Sequence, residues 1–354
     1  MDDAAEPEDG MSAPQGDPAF SFLAGLPETM PAIAEACAGR LPDGAQPRNA
    51  RLVRHKRGRR CLVRYAFLCP DGSEIGVLGK ANAKRLDEPS RRAQLALWER
   101  GFDTCSADAV SVAEPLGTVP HLNMWLQREV RGRMAGDLLT PDAGPAAAHR
   151  IASALAKLHR ADLQAGRTWT VADEMAMLRT RLQDATDVLP ALREGILKVL
   201  LGCERAAERL EERTDADVHR DFYPDQVLLD GERVTMVDFD LLARGDAAID
   251  AGNFLAHVTE FSLRRHDDPE ALAHHEAAFL ERFLALSPAT RPEAVEIYAA
   301  LTLARHISIS HAMPDRRSVT APLVRLCLER LDRLIGGRAG FCLGPKPGVP
   351  IPAR

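Results

Sequence analysis

The sequence His-Arg-Asp at residues 219–221 combines side chains that could act on a reacting hydroxyl group. A carboxylate beside a hydroxyl group can orient it and accept its proton, so Asp221 is a candidate general base. Four residues separate Asp221 from the amide side chain of Gln226, and an amide oxygen is a ligand that Mg²⁺ accepts. His-x-Asp alone is a common pattern, so the prediction of a catalytic segment depends on the spacing to Gln226.

A second segment places another carboxylate at the end of an apolar strand. After a short turn, the apolar run 234–237 is followed by Asp238 and Phe239. A His-x-Asp loop, an amide at this spacing, a short hairpin and then Asp-Phe form the pattern used in phosphoryl transfer from magnesium-bound ATP. The combination indicates Asp221 as catalytic base, with Gln226 and Asp238 as magnesium ligands. The alternative interpretation is a polar turn before a strand, with both aspartates as ordinary capping residues.

The segment from about residue 50 to residue 310 resembles the aminoglycoside phosphotransferase-like family of small-molecule kinases, which includes choline kinase-like enzymes. The resemblance rests on HRDFYPDQVLL, on VDFDLLARGDAAIDAGNFLAHV, on the upstream helix IASALAKLH and on the strand VLGK. It implies an α+β, protein kinase-like fold of two lobes with ATP held between them. It also implies the roles given above for Asp221, Gln226 and Asp238.

Two positions depart from the usual pattern of this family. The metal-binding amide is usually Asn, whereas this chain has Gln226, which is one methylene longer and keeps the amide oxygen. Maltokinase-like members of the superfamily look similar here, with Gln-Val-Leu. Asp240 stands where protein kinases have Gly, and it is either a second carboxylate near the metal or a solvated acid.

Lys80 ends the apolar strand Gly-Val-Leu-Gly-Lys. Protein kinases place a Lys on their third strand to bind the α- and β-phosphates, and a Glu on the next helix holds it. Lys80 fits this role by its position, and Glu88 is the suggested partner. The alternative is a surface Lys at the end of a strand.

The turn expected to cover the phosphates contains Arg57, Gly58 and Arg59. With one glycine, its backbone amides have less freedom to surround phosphate than those of a glycine-rich loop. Arginine can compensate by charge, because a guanidinium group binds phosphate through two N–H groups. Residues 48–64 include eight Lys and Arg and no acid, so the turn is either a phosphate-binding lid or a solvated hairpin.

The remaining site assignments come from the resemblance. It implies that backbone groups around Gln127 and Glu129, where the chain crosses between lobes, meet the adenine of ATP. It implies that His219 and Phe239 pack inside the catalytic core. Asp250, at the start of a helix, is expected to brace the catalytic loop.

The acceptor of the phosphoryl group is expected to be a small molecule. Few residues separate Asp240 from the helix expected to begin near residue 249, which leaves no room for the activation loop that shapes a peptide site in protein kinases. A protein substrate is therefore not expected. Acids and bases are nearly balanced over residues 250–332, so the sequence does not favour a polycationic acceptor, and sugars, polyols, amino alcohols and antibiotics all remain open.

Composition excludes several classes of function. The net charge of −6 among 354 residues comes from six acids in the first 18 residues, and a neutral body argues against binding to nucleic acid or to an anionic membrane. Seven scattered Cys indicate neither a disulfide framework nor a zinc site. The acidic N-terminus does not read as a secretory signal, so the expected location is the cytoplasm.

The predicted secondary structure changes once along the chain, from mostly strands to mostly helices. Strands are predicted at 50–56, 61–69, 74–80, 110–119 and 122–128, with one helix at 90–100. Long amphipathic helices are predicted at 146–163, 191–212, 248–263, 269–286, 292–312 and 322–335. The predicted organisation is a disordered acidic tail (1–18), a nucleotide-binding lobe (19–129), a helical catalytic and substrate lobe (130–336) and an irregular tail (337–354).

Two other functions compete with a kinase that uses ATP and Mg²⁺. One is a pseudokinase, a nucleotide-binding or scaffold protein in which Gln226 and the single-glycine turn reflect lost catalysis. The other is a hydrolase or binding protein that uses His219 and Asp221 as a dyad. It has little support, because no Ser or Cys lies in a recognisable nucleophile turn.

Overall fold

The computed structural model describes residues 17–336. The predicted irregular tail 337–354 and residues 1–16 of the predicted acidic tail lie outside the described residues. By their contacts, the described residues form two units. We call residues 17–134 with Gln226–Leu242 the sheet unit, and Ala135–Asp225 with 243–336 the helical unit. Each is described by itself.

The strands and helices follow one another in an α+β order, as the sequence predicted. The strands are β1 (Gln46–Lys56), β2 (Arg60–Leu68), β3 (Glu74–Asn82), β4 (Val110–Val112), β5 (Pro115–Val119), β6 (Met124–Arg128), β7 (Arg133–Met134), β8 (Ala216–Val218), β9 (Val227–Asp230), β10 (Arg233–Met236) and β11 (Ala243–Gly245). The helices are α1 (Leu26–Ala36), α2 (Glu88–Glu99), α3 (Ala146–His159), α4 (Val171–Val188), α5 (Arg193–Ala207), α6 (Ala248–His266), α7 (Ala273–Leu286), α8 (Pro292–Ala312) and α9 (Thr320–Ile335).

The sheet unit is built on a five-stranded antiparallel sheet in the order β1-β2-β3-β6-β5. In β2, Val63, Tyr65 and Phe67 are fully buried, at the spacing of two that places side chains on one face of a strand. Helix α1, which the sequence analysis missed, packs against β1 and β5. A Cβ at Gly117 would lie 2.2 Å from the carbonyl oxygen of Ala36, so glycine permits this close approach.

A second sheet in the same unit has the order β4-β10-β9-β7. Strand β10 pairs in parallel with β4 and antiparallel with β9. The sequence analysis assigned residues 130–336 to one lobe. By its contacts, the segment Gln226–Leu242 groups with the sheet unit. Asp238 lies two residues after the end of β10, so this sheet positions it.

The helical unit packs helices α3 to α9 together with the short pair β8 and β11. Helices α6 and α8 meet most closely at Gly252, where a Cβ would lie 2.6 Å from the backbone nitrogen of Ala299. Helix α4 was not predicted, although Thr170 and Asp173 form a reciprocal capping box at its start. In the described part of the chain, none of the helices is long and apolar enough to cross a membrane.

A buried carboxyl group joins α6 and α7. The Thr259 hydroxyl donates to Oε1 of Glu276 at 2.6 Å, and Arg330 donates to the Thr259 hydroxyl at 3.1 Å. Burial raises the pKa of Glu276 from 4.5 to about 7, a rise that Arg330 and Thr259 partly offset. Between these two pKa values the folded state therefore binds one proton more than the unfolded state, and stability falls as pH rises through this window.

We predict that Glu276→Gln removes this pH dependence, because the amide stays neutral and keeps an oxygen for Thr259. The free energy of unfolding of the unsubstituted protein should fall by ~3 kcal/mol more than that of Glu276→Gln between pH 4.5 and pH 7. Urea unfolding at four pH values measures this. Glu281→Gln, at an exposed position of the same helix, is the matched control. Parallel curves for Glu276→Gln and the unsubstituted protein would contradict the prediction.

Candidate active site

The carboxylate of Asp250 organises the loop that contains Asp221. Asp250 lies in the first turn of α6 and is fully buried. Its Oδ2 accepts hydrogen bonds from the backbone N–H of His219 at 2.7 Å and from the ring of His159 at 2.9 Å. Its Oδ1 accepts from the backbone N–H of Arg220 at 2.6 Å. One side chain therefore fixes the backbone of the two residues that precede the candidate base.

The same helix holds the other side of the loop. Asn253, one turn after Asp250, donates to the carbonyl oxygen of Phe222 at 3.0 Å. Arg220 adopts a left-handed backbone conformation with φ of 69°, which is costly for a residue with a side chain. Hydrogen bonds on both sides of Asp221 stabilise this turn, so its half-buried side chain projects from a fixed backbone.

The side chain of Arg220 also has a defined place. Its guanidinium carbon lies 3.3 Å from the ring centre of Trp169, a stacking contact that favours a cation. Burial lowers the pKa of Arg220 to about 10. His219 is fully buried and its ring contacts Phe222 edge-on at 5.8 Å.

In the sheet unit, Lys80 on β3 faces two carboxylates. Its Nζ donates to Oδ1 of Asp238 at 3.1 Å and lies 3.8 Å from Oδ1 of Asp240. The ammonium also lies 5.3 Å from the ring centre of Trp125. Burial alone lowers the pKa of Lys80, but the charges of Asp238 and Asp240 more than offset this and raise it. Lys80 is therefore a cation held between carboxylates.

A further arginine completes this cluster of charges. Arg60, the first residue of β2, donates from Nη1 to Oδ2 of Asp240 at 3.1 Å. Burial raises the pKa of Asp240, an effect that Lys80 partly offsets. The order Arg60, Asp240, Lys80, Asp238 alternates cation and anion, so each charge has an opposite neighbour. The sequence analysis left the role of Asp240 open, and the structure places it against both cations.

Glu88, the suggested partner of Lys80, contacts other residues. Its Oε2 accepts hydrogen bonds from Arg91 at 2.9 Å and from Arg92 at 3.3 Å. These are neighbours on the first turns of α2, at spacings of three and four residues. The hydrogen bond from Arg91 is the main reason that the pKa of Glu88 is lowered. The expected pairing is wrong because local arginines engage Glu88, while Asp238 and Asp240 supply the carboxylates beside Lys80.

The two residues expected to bind magnesium come from neighbouring backbone. The N–H of Val237 donates to the carbonyl oxygen of Gln226 at 3.0 Å. Asp238 has a left-handed φ of 67°, which turns the chain as β10 ends, and Phe239 beyond it is 2% exposed. One carboxylate and one amide oxygen fit Mg²⁺, which usually takes its other ligands from water and substrate phosphates. Over residues 17–336, no three His, Cys, Asp or Glu side chains are grouped to hold a metal.

The turn between β1 and β2 already binds a carboxylate. Gly58 has φ of 63°, and its N–H donates to Oδ2 of Asp17 at 2.8 Å. The same oxygen lies 2.9 Å from Nε2 of His55. This hydrogen bond from Gly58 is the main reason that the pKa of Asp17 is lowered. The sequence analysis included Asp17 in the disordered tail, but Asp17 is 7% exposed and anchors the turn containing Arg57 and Arg59.

The side chains of the two residues expected near adenine form hydrogen bonds with other residues of the sheet unit. Gln127 is 3% exposed and accepts a hydrogen bond from Gln94 of α2 at 3.1 Å. Glu129 binds Arg64 through both carboxylate oxygens at 2.7 and 2.8 Å, and its N–H donates to the carbonyl oxygen of Gly76 at 2.9 Å. A contact between Glu129 and adenine would therefore use the carbonyl oxygen of Glu129.

Sequence reasoning missed several residues that hold the candidate site. Asn253 lies three residues after Asp250, at the spacing that places two side chains on one helix face, so this signal was readable. The hydrogen bond from Gly58 to Asp17 joins residues 41 positions apart, and the ion pair of Arg60 with Asp240 joins residues 180 positions apart. No local pattern indicates such pairs.

Two comparisons place the chain among known proteins. Residues 84–291 match the family model named APH, described as the phosphotransferase enzyme family. That match covers more than half of the chain. No curated protein matches at a significant level.

Solved structures share the fold at low identity. A choline kinase from Cryptosporidium parvum Iowa II is 12% identical with a TM-score of 0.59, covering 88% of this chain and 96% of that one. A glucosamine kinase in complex with glucosamine, ADP and inorganic phosphate is 18% identical with a TM-score of 0.55, covering 82% and 80%. An aminoglycoside phosphotransferase in complex with ADP and hygromycin B is 16% identical with a TM-score of 0.54, covering 89% and 100%. The protein kinase-like fold is therefore confirmed.

The charge cluster predicts how Lys80 titrates. Asp240→Asn removes one of two carboxylates that keep Lys80 protonated, so its pKa should fall by on the order of one unit. A reagent that acylates neutral amines at pH 8.5 should then modify Lys80 up to ~10-fold faster. Mass spectrometry of the peptide containing Lys80 measures the rate, and the exposed Lys198 is the internal control. A ratio of Lys80 to Lys198 modification that stays the same or falls would argue against the cluster.

Proposed function

Because the chain belongs to the APH phosphotransferase enzyme family, we propose that it transfers the terminal phosphoryl group of ATP to a hydroxyl group of a small molecule. The observation that carries this proposal is the ion pair between Lys80 and Asp238 at 3.1 Å. The pair joins Lys80, a cation on a strand that is suited to phosphate, to Asp238, a carboxylate that is suited to Mg²⁺. In the same chain, Asp250 holds the backbone of the loop that contains Asp221.

In the proposed reaction, Asp221 accepts the proton of the acceptor hydroxyl group. The hydroxyl oxygen forms a bond to the terminal phosphorus of ATP, the bond from that phosphorus to the bridging oxygen breaks, and ADP leaves. Lys80 binds the α- and β-phosphates, while Asp238 and Gln226 hold Mg²⁺, which neutralises charge on the phosphate oxygens when bound. Positioning and electrostatic stabilisation supply most of the rate in such reactions.

The short segment between Asp240 and helix α6 supports a small acceptor. Strand β11 ends at Gly245 and α6 begins at Ala248, so few residues separate Asp240 from the helix that carries Asp250. Protein kinases use a long loop in this interval to bind a peptide. Two of the similar structures are complexes with glucosamine and with hygromycin B, and both are small molecules with hydroxyl groups.

A nucleotide-binding protein without transferase activity is the second candidate. One observation favours it: the N–H of Gly58, in the turn expected to cover the phosphates, already donates to Asp17. Retained Asp221, Asp238 and Lys80 favour the enzyme. The two candidates differ in whether ADP accumulates when an acceptor is present.

We predict that Asp221→Asn lowers turnover by ~10²–10⁴-fold, because the amide cannot accept the proton. The dissociation constant of magnesium-bound ATP should change less than about twofold, because Asp221 is not assigned to the nucleotide. ADP release over a panel of sugars, polyols, amino alcohols and aminoglycosides measures turnover, and calorimetry measures binding.

Asp230→Asn is the matched control, since Asp230 is an exposed acid at the end of β9. It should leave both quantities unchanged. Near-normal turnover of Asp221→Asn would remove the assignment of the base. Tight nucleotide binding by the unsubstituted protein with no ADP release on any acceptor would favour the second candidate.

A further inference from the structure

Within the helical unit, three aromatic rings contact one another in a row that begins beside the loop of Asp221. Tyr223, two residues after Asp221, stacks on His257 of α6 with ring centres 4.5 Å apart and an angle of 18°. His257 contacts His306 of α8 edge-on at 4.3 Å. Tyr223 and His257 are half-buried, whereas His306 is 1% exposed. The stack therefore runs from a solvent-accessible loop to a buried polar ring.

The buried end of this stack has polar atoms without partners. Within the range 17–336, neither ring nitrogen of His306 forms a hydrogen bond, and Nε2 of His257 forms none either. Burying polar atoms without partners costs free energy, and native structures seldom leave them so unless another molecule completes them. Both rings can donate one hydrogen bond and accept one, so they are suited to a ligand with polar oxygens.

An arginine beside the two histidines also lacks a partner. Among the described residues, the half-buried Arg316 forms no ion pair and no side-chain hydrogen bond, and its Nε is buried without an acceptor. By contrast, Arg264 donates to Glu260 at 3.0 Å and Arg305 donates to Asn253 at 2.6 Å. Arg316 is therefore the cation of this group whose charge is not matched by a close side chain.

The charges around the two rings are positive. Burial lowers the pKa of His257 and of His306 well below the usual value, and the charges of Arg305, Arg316 and Arg264 lower both further. The two rings are thus neutral, and the surrounding arginines disfavour an additional positive charge beside them. An acid, Asp225, lies nearby without forming an ion pair to Arg316.

We infer that the acceptor alcohol carries an anionic group, a carboxylate or a phosphate, which binds Arg316 and the neutral rings of His257 and His306. This inference rests on the proposed function, since it names the acceptor that the kinase would use. The anionic group accepts hydrogen bonds from the guanidinium and from ring N–H groups, which satisfies N–H donors that otherwise have no partner. Tyr223 connects this subsite to the loop of Asp221, where the hydroxyl group reacts. Quaternary amines and polyamines are the disfavoured acceptors.

Two series of matched alcohols test the charge of the acceptor. The first is glucuronate, glucose 6-phosphate, glucose and glucosamine, and the second is glycerate, glycerol 3-phosphate, glycerol and 2-amino-1,3-propanediol. Calorimetry on the full chain, with and without magnesium-bound ADP, gives each dissociation constant. In at least one series, we expect a carboxylate or phosphate member to bind at least tenfold more tightly than the neutral and amine members. The two anionic arms separate a carboxylate from a phosphate.

Two substitutions test the residues. Arg316→Gln should weaken binding of the preferred anionic alcohol at least tenfold and leave nucleotide binding unchanged, whereas Arg317→Gln, at the exposed neighbour, should change neither. His306→Phe keeps the edge-on aromatic contact and removes two unpaired nitrogens. It should therefore weaken the anionic ligand at least tenfold while the melting temperature stays the same or rises. A purely structural histidine would give a lower melting temperature.

The outcomes separate this inference from the kinase proposal. If no anionic member of either series binds more tightly than its neutral and amine counterparts, or if Arg316→Gln weakens all members equally, the inference is overturned. Phosphorylation of neutral or amine alcohols alone would overturn it and leave the kinase standing. Binding of an anionic alcohol at Arg316 without any ADP release, over these series and the wider acceptor panel, would support the subsite and contradict the kinase.

Discussion

The ion pair between Lys80 and Asp238 is the constraint on which the rest of the sheet unit depends. Lys80 lies on β3 of the five-stranded sheet, and Asp238 follows β10 of the four-stranded sheet. Their contact at 3.1 Å therefore joins the two sheets through opposite charges. A partly buried ammonium needs such partners, because burial by itself favours its neutral form. Arg60 and Asp240 extend the pair into a chain of alternating charges.

In the helical unit, a single carboxylate, that of Asp250, holds the backbone of the loop that contains Asp221. Asp250 accepts hydrogen bonds from two backbone N–H groups of the loop that contains Asp221 and from the ring of His159. A loop that must hold one carboxylate in a fixed direction gains more from bonds to its backbone than from side-chain packing, because the backbone sets where Asp221 projects. Phosphoryl transfer depends mainly on the placement of charge. The charge chain of one unit and the braced loop of the other are both ways of fixing charges in place.

Much of this could be predicted from the sequence, because much of it is local. Strands β1 to β3 lie between short turns that contain glycine, and α9 near the C-terminus has a clear apolar periodicity. Helix α1 was missed because Pro31 lies inside it, and proline normally argues against a helix. The partner of Lys80 could not be found, since 158 positions separate it from Asp238. Glu88 had the expected residue type near the expected place, but its neighbours on the helix decided its contacts.

The most direct test of the account is a crystal structure of the protein with Mg²⁺ and a non-hydrolysable ATP analogue. The account predicts that Lys80 leaves Asp238 for the α- and β-phosphates. Asp238 and the amide oxygen of Gln226 should then bind the ion at about 2.1 Å. The account is contradicted if Lys80 and Asp238 remain paired while nucleotide and metal lie elsewhere, or if the metal is held without Gln226 and Asp238.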